Sequence, residues 1–81
     1  MMISKGFNNF SEFFDDIRRG IEFDFGFRGG EYAISQYDEK RFLGKYDDED
    51  FAQEFVDADD MLKNARIEGL TLEEAFPEMD F

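Results

Sequence analysis

The chain has 81 residues, a formal net charge of −12 at pH 7, and neither cysteine nor histidine. The absence of cysteine excludes disulfides and thiolate metal sites, and the absence of histidine removes the commonest general base and metal ligand. No apolar run approaches the ~20 residues that are needed to span a bilayer. We therefore expect residues 1–81 to form a single cytoplasmic domain with no cofactor and no metal.

The aromatic side chains are expected to supply the core, since the chain has twelve phenylalanines and three tyrosines. A domain of this size buries only about 60–65% of its unfolded surface, and one aromatic ring buries on the order of 150–250 Å². Residues 1–8 are predicted to be a loose lead-in, from which Ile3 and Phe7 can pack against that core.

The first predicted helix begins after Asn9, a plausible N-cap, with Glu12 three residues later as in a capping box. Apolar residues then recur at i, i+3, i+4 and i+7, which is the pattern of one helix face. They are Phe10, Phe13, Phe14 and Ile17. Gly20 is expected to end the helix. The apolar stripe is interpreted as core packing.

Residues 21–37 predict a β-hairpin around which the rest of the domain is organised. Apolar residues alternate with acids or glycine over residues 21–27, which is the two-residue period of a strand. Residues 28–30 (Arg-Gly-Gly) can adopt the positive φ angles that a tight reversal needs. A second strand-like run follows at once.

A third strand is predicted at residues 41–46, after a short turn at residues 38–40. One of its faces carries Phe42, Gly44 and Tyr46, with Leu43 between them. Arg41 and Lys45 alternate with these apolar positions, which predicts a basic polar face for this strand.

The sharpest change in composition comes at residues 47–50, where four acids stand in a row. Residues 1–46 hold eight acids and seven bases, whereas residues 47–81 hold thirteen acids and two bases. The spacing of Phe51 and Phe55 fits a helix turn, although residues 51–55 could also extend as an added edge strand. The short helix is the favoured interpretation.

The last third of the chain predicts two more short helices. Asp57 is the expected N-cap of a helix that runs to about Arg66, and Thr71 opens a Thr-Leu-Glu-Glu capping box. Pro77 cannot continue the last helix, so residues 78–81 are expected to be a tail. The predicted fold is therefore α+β, with a three-stranded antiparallel sheet preceded by one helix and followed by two or three short helices.

Catalytic and phosphate-binding patterns are missing. The serines have no histidine to activate them, and the carboxylate pair of a glycosidase needs a sugar-sized cleft for which this domain has little room. Calcium loops starting at Asp47 or Asp57 would lack both the ligand at position 5 and the glycine at position 6. The glycines of residues 28–30 join two strands and open no helix. We expect a protein that is not an enzyme.

The acidic surface is the leading candidate for a binding site. Burying unpaired carboxylates is costly, so most of them must be exposed, where they could meet the Arg and Lys of a groove that normally holds a nucleic-acid backbone. A solvated face that only confers solubility is the alternative. Direct binding to nucleic acid is disfavoured. The candidate partner-binding residues are Asp47, Asp48, Glu49, Asp50, Glu54, Asp57, Asp59 and Asp60.

The length, the acidity and the order of elements resemble small proteins of phages and mobile elements in Gram-positive bacteria, most of all in residues 31–37 (EYAISQY) and 57–69 (DADDMLKNARIEG). Among these, the chain is similar to compact, DNA-mimicking anti-CRISPR inhibitors of type II effector nucleases. The resemblance implies that the acids of residues 47–60 replace duplex phosphates and compete with PAM recognition in the host cell. The alternative function is a phage accessory module that dimerises, or binds a regulatory partner, through an aromatic face.

Overall fold

The computed structural model describes residues 7–81, which form an antiparallel sheet with helices packed against one face. In chain order the elements are α1 (Phe10–Arg18), β1 (Phe23–Phe27), β2 (Gly30–Tyr37), β3 (Lys40–Lys45), β4 (Asp48–Phe55), α2 (Ala58–Asn64), α3 (Leu72–Ala75), a 3₁₀ turn (Phe76–Glu78) and β5 (Met79–Asp80). The expected α+β class is correct. Phe7 packs against the core as expected, whereas Ile3 lies outside the described residues.

The sheet was predicted to have three strands, and this is wrong. Within residues 7–81 it has five, in the order β4-β3-β2-β1-β5, each antiparallel to its neighbours. The central hairpin is confirmed: Arg28 and Gly29 form its two-residue turn with φ of 49° and 83°. Positive φ at both central residues gives the turn twist that matches the twist of the strands.

The preferred short helix at residues 51–55 is also wrong, because this segment is the second half of β4. Phe51, Gln53 and Phe55 recur every two residues on the face that packs against the core. The Phe51 ring centroid lies 5.4 Å from that of Tyr32. The Gln53 amide accepts from the Arg66 backbone N–H at 3.1 Å and donates to its carbonyl at 2.8 Å. The ring contact with Tyr32 and the two hydrogen bonds with the Arg66 backbone therefore hold this segment extended.

Residues 78–81 were expected to be a tail, but they contain β5, which pairs with the end of β1. Pro77 ends the helix in the 3₁₀ turn, and the chain then runs back along the sheet. Arg28 fixes this return, because two of its nitrogens donate to the two carboxylate oxygens of Glu78, each at 2.8 Å. Glu68 accepts a further bond from the same guanidinium at 3.3 Å. Met79 is buried as a result.

The helix signals in the sequence are largely confirmed. The Asn9 side chain accepts from the Glu12 backbone N–H at 3.0 Å, while the Glu12 carboxylate accepts from the N–H of Asn8, so the first capping box is only half formed. Gly20 follows α1 with φ of 81°. The Thr71 capping box forms in both directions. The helix capped by Asp57 ends at Asn64, two residues before the expected end.

Phe13 lies at the centre of the core, between α1 and the inner face of the sheet. It is fully buried. Its ring lies within 5.3–6.3 Å, centroid to centroid, of six other phenylalanine rings, namely those of Phe7, Phe10, Phe23, Phe25, Phe76 and Phe81. Tilted and edge-to-face pairs of this kind add to the stabilisation from buried area. The predicted core role of the apolar stripe on α1 is confirmed.

The basic outer face predicted for β3 is wrong, because Arg41 lies on the inner face beside Leu43 and is 7% exposed. Its guanidinium donates to the carbonyls of Ile17 at 2.8 Å and Arg18 at 3.0 Å, at the end of α1. It also donates to two carbonyls of the β2–β3 turn. Helix C-terminal carbonyls lack partners within the helix and favour a cation, which explains why a charged residue is buried here.

Candidate acidic binding surface

The eight candidate carboxylates lie along one margin of the domain, formed by the edge strand β4 and the segments at its two ends. We call this set the acidic edge: Asp47, Asp48, Glu49, Asp50, Glu54, Asp57, Asp59 and Asp60. β4 runs alongside only the four residue steps of β3 from Arg41 to Lys45, or about 13 Å at ~3.3 Å per residue, because a bulge takes up the rest of its length. The acids therefore fall into two groups at the two ends of β4, with Glu54 between them.

The first group occupies the β3–β4 turn and the start of β4. Asp47 has a φ of 68°, a left-handed conformation that aspartate tolerates better than most residues. The Asp48 carboxylate accepts from the backbone N–H of Asp50 at 3.2 Å, which shapes the turn. Among residues 7–81, no Lys or Arg nitrogen comes within 4.0 Å of a carboxylate of residues 47–50. This group is therefore an uncompensated cluster of negative charge.

Lys45 is the base nearest in register to this group, but its ammonium is directed elsewhere. It pairs with Asp48 across the β3–β4 bulge, yet its Nζ lies 5.6 Å from the ring centroid of Tyr32. A cation over an aromatic face gains about 0.5–1 kcal/mol at an exposed site. The lysine thus stabilises the end of the core and does not form a close ion pair with the turn.

Glu54 is the residue before the last of β4, between the two groups, and it has a partner. Its carboxylate lies 2.9 Å from the ammonium of Lys40 on the neighbouring strand, and both side chains are about half exposed. Exposed pairs of this kind contribute about 0–1 kcal/mol. Glu54 can therefore exchange Lys40 for a cation of a binding partner at little cost.

The second group, at the start of α2, is committed largely to the fold. Asp57 accepts from the N–H of Asp60 at 2.8 Å, and Asp60 accepts from Asn64 at 2.7 Å and from the N–H of Val56 at 3.0 Å. The bonds from Asn64 and Val56 hold the pKa of Asp60 below its ordinary value. Asp59 is 77% exposed and lies 3.9 Å from an Arg18 nitrogen. Of this group, Asp59 is the carboxylate best placed to meet a partner.

Sequence reasoning missed the sheet face that the helices leave uncovered. Eleven of the twelve phenylalanines, all within residues 7–81, belong to the core or pack against it, and Phe42 does not. It lies on the outer face with Tyr46, whose hydroxyl donates to Asp24 at 3.2 Å and whose pKa this bond raises. The signal was present in β3, because a buried Leu43 forces Phe42 outward.

Other kinds of site find no support in the described part of the chain. Residues 7–81 contain no group of three or more acids arranged to hold a metal ion. Over the same range, no helix has the length and apolar character required to cross a membrane. Comparison with protein-family models, with curated protein sequences and with solved structures finds no significant match to this chain. The geometry and charge of the chain itself are therefore what indicates its function.

Proposed function

We propose that this chain is an acidic binding protein that occupies a basic, nucleic-acid-binding site on another protein. The observation that supports this proposal is at the β3–β4 turn and the start of β4, where four successive carboxylates have no Lys or Arg nitrogen within 4.0 Å among residues 7–81. Crowded like charges destabilise the folded state. An arginine-rich partner would relieve that repulsion through charge-assisted hydrogen bonds.

The dimensions of the acidic edge fit a mimic of a nucleic-acid backbone. Its two groups are separated by about 13 Å of strand, and a DNA strand carries one phosphate per ~3.4 Å of helix axis. The edge therefore has about the length of four base pairs. The β3–β4 turn supplies the dense charge at one end, and Glu54 and Asp59 supply exposed carboxylates farther along.

The target to test first is a type II CRISPR effector nuclease in the cytoplasm of a bacterial host. Such nucleases read the PAM with arginines in a groove built for DNA, and carboxylates of the acidic edge would take the place of the DNA acceptors. This would make the chain an anti-CRISPR inhibitor that blocks DNA binding. Its affinity is expected to fall steeply with salt, because its contacts are charge pairs.

The experiment compares two variants with the same change in charge. The edge variant carries Asp47→Asn, Glu49→Gln and Asp50→Asn, and the control carries Asp15→Asn, Asp16→Asn and Glu73→Gln on the helices. We expect the edge variant to bind a guide-loaded nuclease at least about tenfold more weakly than wild type, and the control to bind within about twofold. Asparagine at position 47 keeps the left-handed turn accessible.

Binding is measured at low and physiological salt, together with inhibition of DNA cleavage. Equal binding by the two variants would refute the role of the turn. Wild type that captures neither the nuclease nor any other nucleic-acid-binding protein from a Gram-positive lysate would refute the proposed function as a whole. Capture that resists salt would also contradict it.

A further inference from the structure

The sheet face opposite the helices, which we call the open face, has a floor of small side chains. Ala33, Gly44 and Ala52 stand side by side on β2, β3 and β4, and Asp24 pairs with Ala33 on β1. Because successive side chains of a strand point to opposite faces of the sheet, these residues lie on the face that is turned away from the core. The row crosses the sheet at right angles to the strands, so another backbone can approach it closely.

Aromatic side chains flank this floor. Phe42 and Tyr46 lie two residues before and after Gly44 on β3, and therefore on the same face. Tyr46 is 51% exposed, and its hydroxyl reaches Asp24, two strands away, at 3.2 Å. The Tyr46 ring thus lies along one side of the row of small residues, which forms a trough, and its hydroxyl is hydrogen-bonded to the Asp24 carboxylate.

The charges on the open face define what can bind there. The carboxylates on it are those of Glu22, Asp24, Glu31, Glu54 and Asp80, as alternation and close side-chain contacts show. Lys40 is the base on this face among residues 7–81, and it is paired with Glu54 at 2.9 Å. A face this acidic repels nucleic acid, anionic lipid and a second copy of itself. Its charge complement is a cationic protein segment.

The size of the trough points to a helix. The four residue steps from Phe42 to Tyr46 give a width of about 13 Å, and an α-helix with its side chains is about 10–12 Å across. The three strand spacings of ~4.8 Å from β1 to β4 give a length of about 14 Å, which about 10 helical residues span. Arginine or lysine along the flanks of such a helix would meet the carboxylates and the aromatic faces together.

We propose that the open face binds a cationic amphipathic helix of a partner protein, with small or apolar residues on the floor and basic residues at the rim. This surface borders the β3–β4 turn through Tyr46 and shares Glu54 with the acidic edge, but its floor contains none of the acids that support the proposed function. The two proposals can therefore fail independently.

The probe is a synthetic helix of about 13 residues, which spans the trough with a few residues to spare, and it has an alanine and leucine stripe flanked by arginines. Its control replaces each arginine with glutamate. Backbone amide NMR of the labelled protein is expected to show shifts at Ala33, Gly44 and Ala52 with the arginine peptide and none with the glutamate peptide. Absence of shifts at these three positions up to millimolar peptide would overturn the proposal, and so would shifts confined to residues 47–50 and 57–60.

Two variants block the trough without removing a structural contact. A Cβ built on Gly44 meets nothing within 4 Å, so Gly44→Lys can fold while it fills the floor and repels the peptide. Ala52→Lys, on the edge strand, serves as a second block. Both should weaken peptide binding at least about tenfold, whereas Ser11→Lys on exposed α1 should leave it within about twofold. Wild-type affinity in either blocked, folded variant would overturn the proposal.

The two proposals are separated by the edge variant described above. Asp47→Asn, Glu49→Gln and Asp50→Asn should weaken peptide binding less than Gly44→Lys does, since they leave the floor and the carboxylates of Asp24, Glu31 and Glu54 unchanged. A peptide that loses binding in the edge variant but not in Gly44→Lys would be bound by the turn, which would overturn the inference and leave the proposed function intact.

Discussion

Replacing Arg41 by methionine is expected to lower the free energy of unfolding by more than the loss of an exposed arginine would. Its guanidinium joins the end of α1 to the β2–β3 turn through four bonds of 2.7–3.1 Å to backbone carbonyls. A buried ion pair can often be exchanged for apolar groups without loss. An apolar replacement does not compensate in this way at position 41, because the partners of the guanidinium are backbone carbonyl groups that remain when Arg41 is removed.

The magnitude follows from burial. The bond to Ile17 is buried, and a bond from a charged donor contributes about 1.5–3 kcal/mol. The other three carbonyls are partly buried, so water can replace the guanidinium there and they add about 1 kcal/mol together. The expected loss is about 3 kcal/mol. Since the total stability of an 81-residue chain is about 4–12 kcal/mol, Arg41→Met should lower the Tm by about 12–24 °C.

The assay is urea and thermal unfolding, followed by circular dichroism, of Arg41→Met beside Arg19→Met. Arg19 is 69% exposed, and its ion-pair partner among residues 7–81 is Asp16, at 3.9 Å, so its loss should cost less than about 0.5 kcal/mol. Arg41→Lys should fall between the two, since an ammonium keeps the charge but cannot reproduce the planar fork. If Arg41→Met unfolds at the same urea concentration as Arg19→Met, the buried guanidinium contributes nothing and the reasoning is refuted.

Three further outcomes are expected. Arg28 lowers the pKa of Glu78. The destabilisation caused by Glu78→Gln should therefore be full at pH 7, decline as the pH falls below about 4.5, and vanish below the lowered pKa, as urea titrations at several pH values will show. Phe13→Ala should cost about 3–5 kcal/mol and Phe42→Ala less than half as much in thermal unfolding, because only the former leaves a core cavity. Asp24→Asn should let the raised pKa of Tyr46 fall toward 10 in a tyrosinate absorbance titration.

Local signals in the sequence were sufficient for the helix ends and the central hairpin. The Asn9, Asp57 and Thr71 caps depend on residues at most three positions apart, and the two-residue turn at Arg28 follows from adjacent glycines. The interactions that overturned the remaining predictions are long-range. β5 is held by Arg28 fifty residues earlier in the chain, and no local pattern after Pro77 indicates that contact.

β4 was misassigned for a different reason. Phe51 and Phe55 are four residues apart, a spacing that satisfies both a helix turn and the two-residue period of a strand. The decision depends on Gln53, which takes both hydrogen bonds of the Arg66 backbone. The same ambiguity affects the candidate site. Composition located the acids, whereas the bulged strand determined that they form one edge about 13 Å long.

A second explanation for the acids at the start of β4 is that they protect the edge of the sheet and do not bind a partner. β4 is an edge strand, and charged side chains on a sheet edge prevent pairing with another chain. Edge protection needs only a few charges on the paired strand, yet Asp47 lies in the turn before β4 and Glu49 lies in its bulge, where it has no partner residue on β3. If protection were their sole role, the edge variant would aggregate as its concentration rises while its nuclease binding stayed unchanged. If they form a binding surface, the variant stays monomeric in sedimentation experiments and loses its partner.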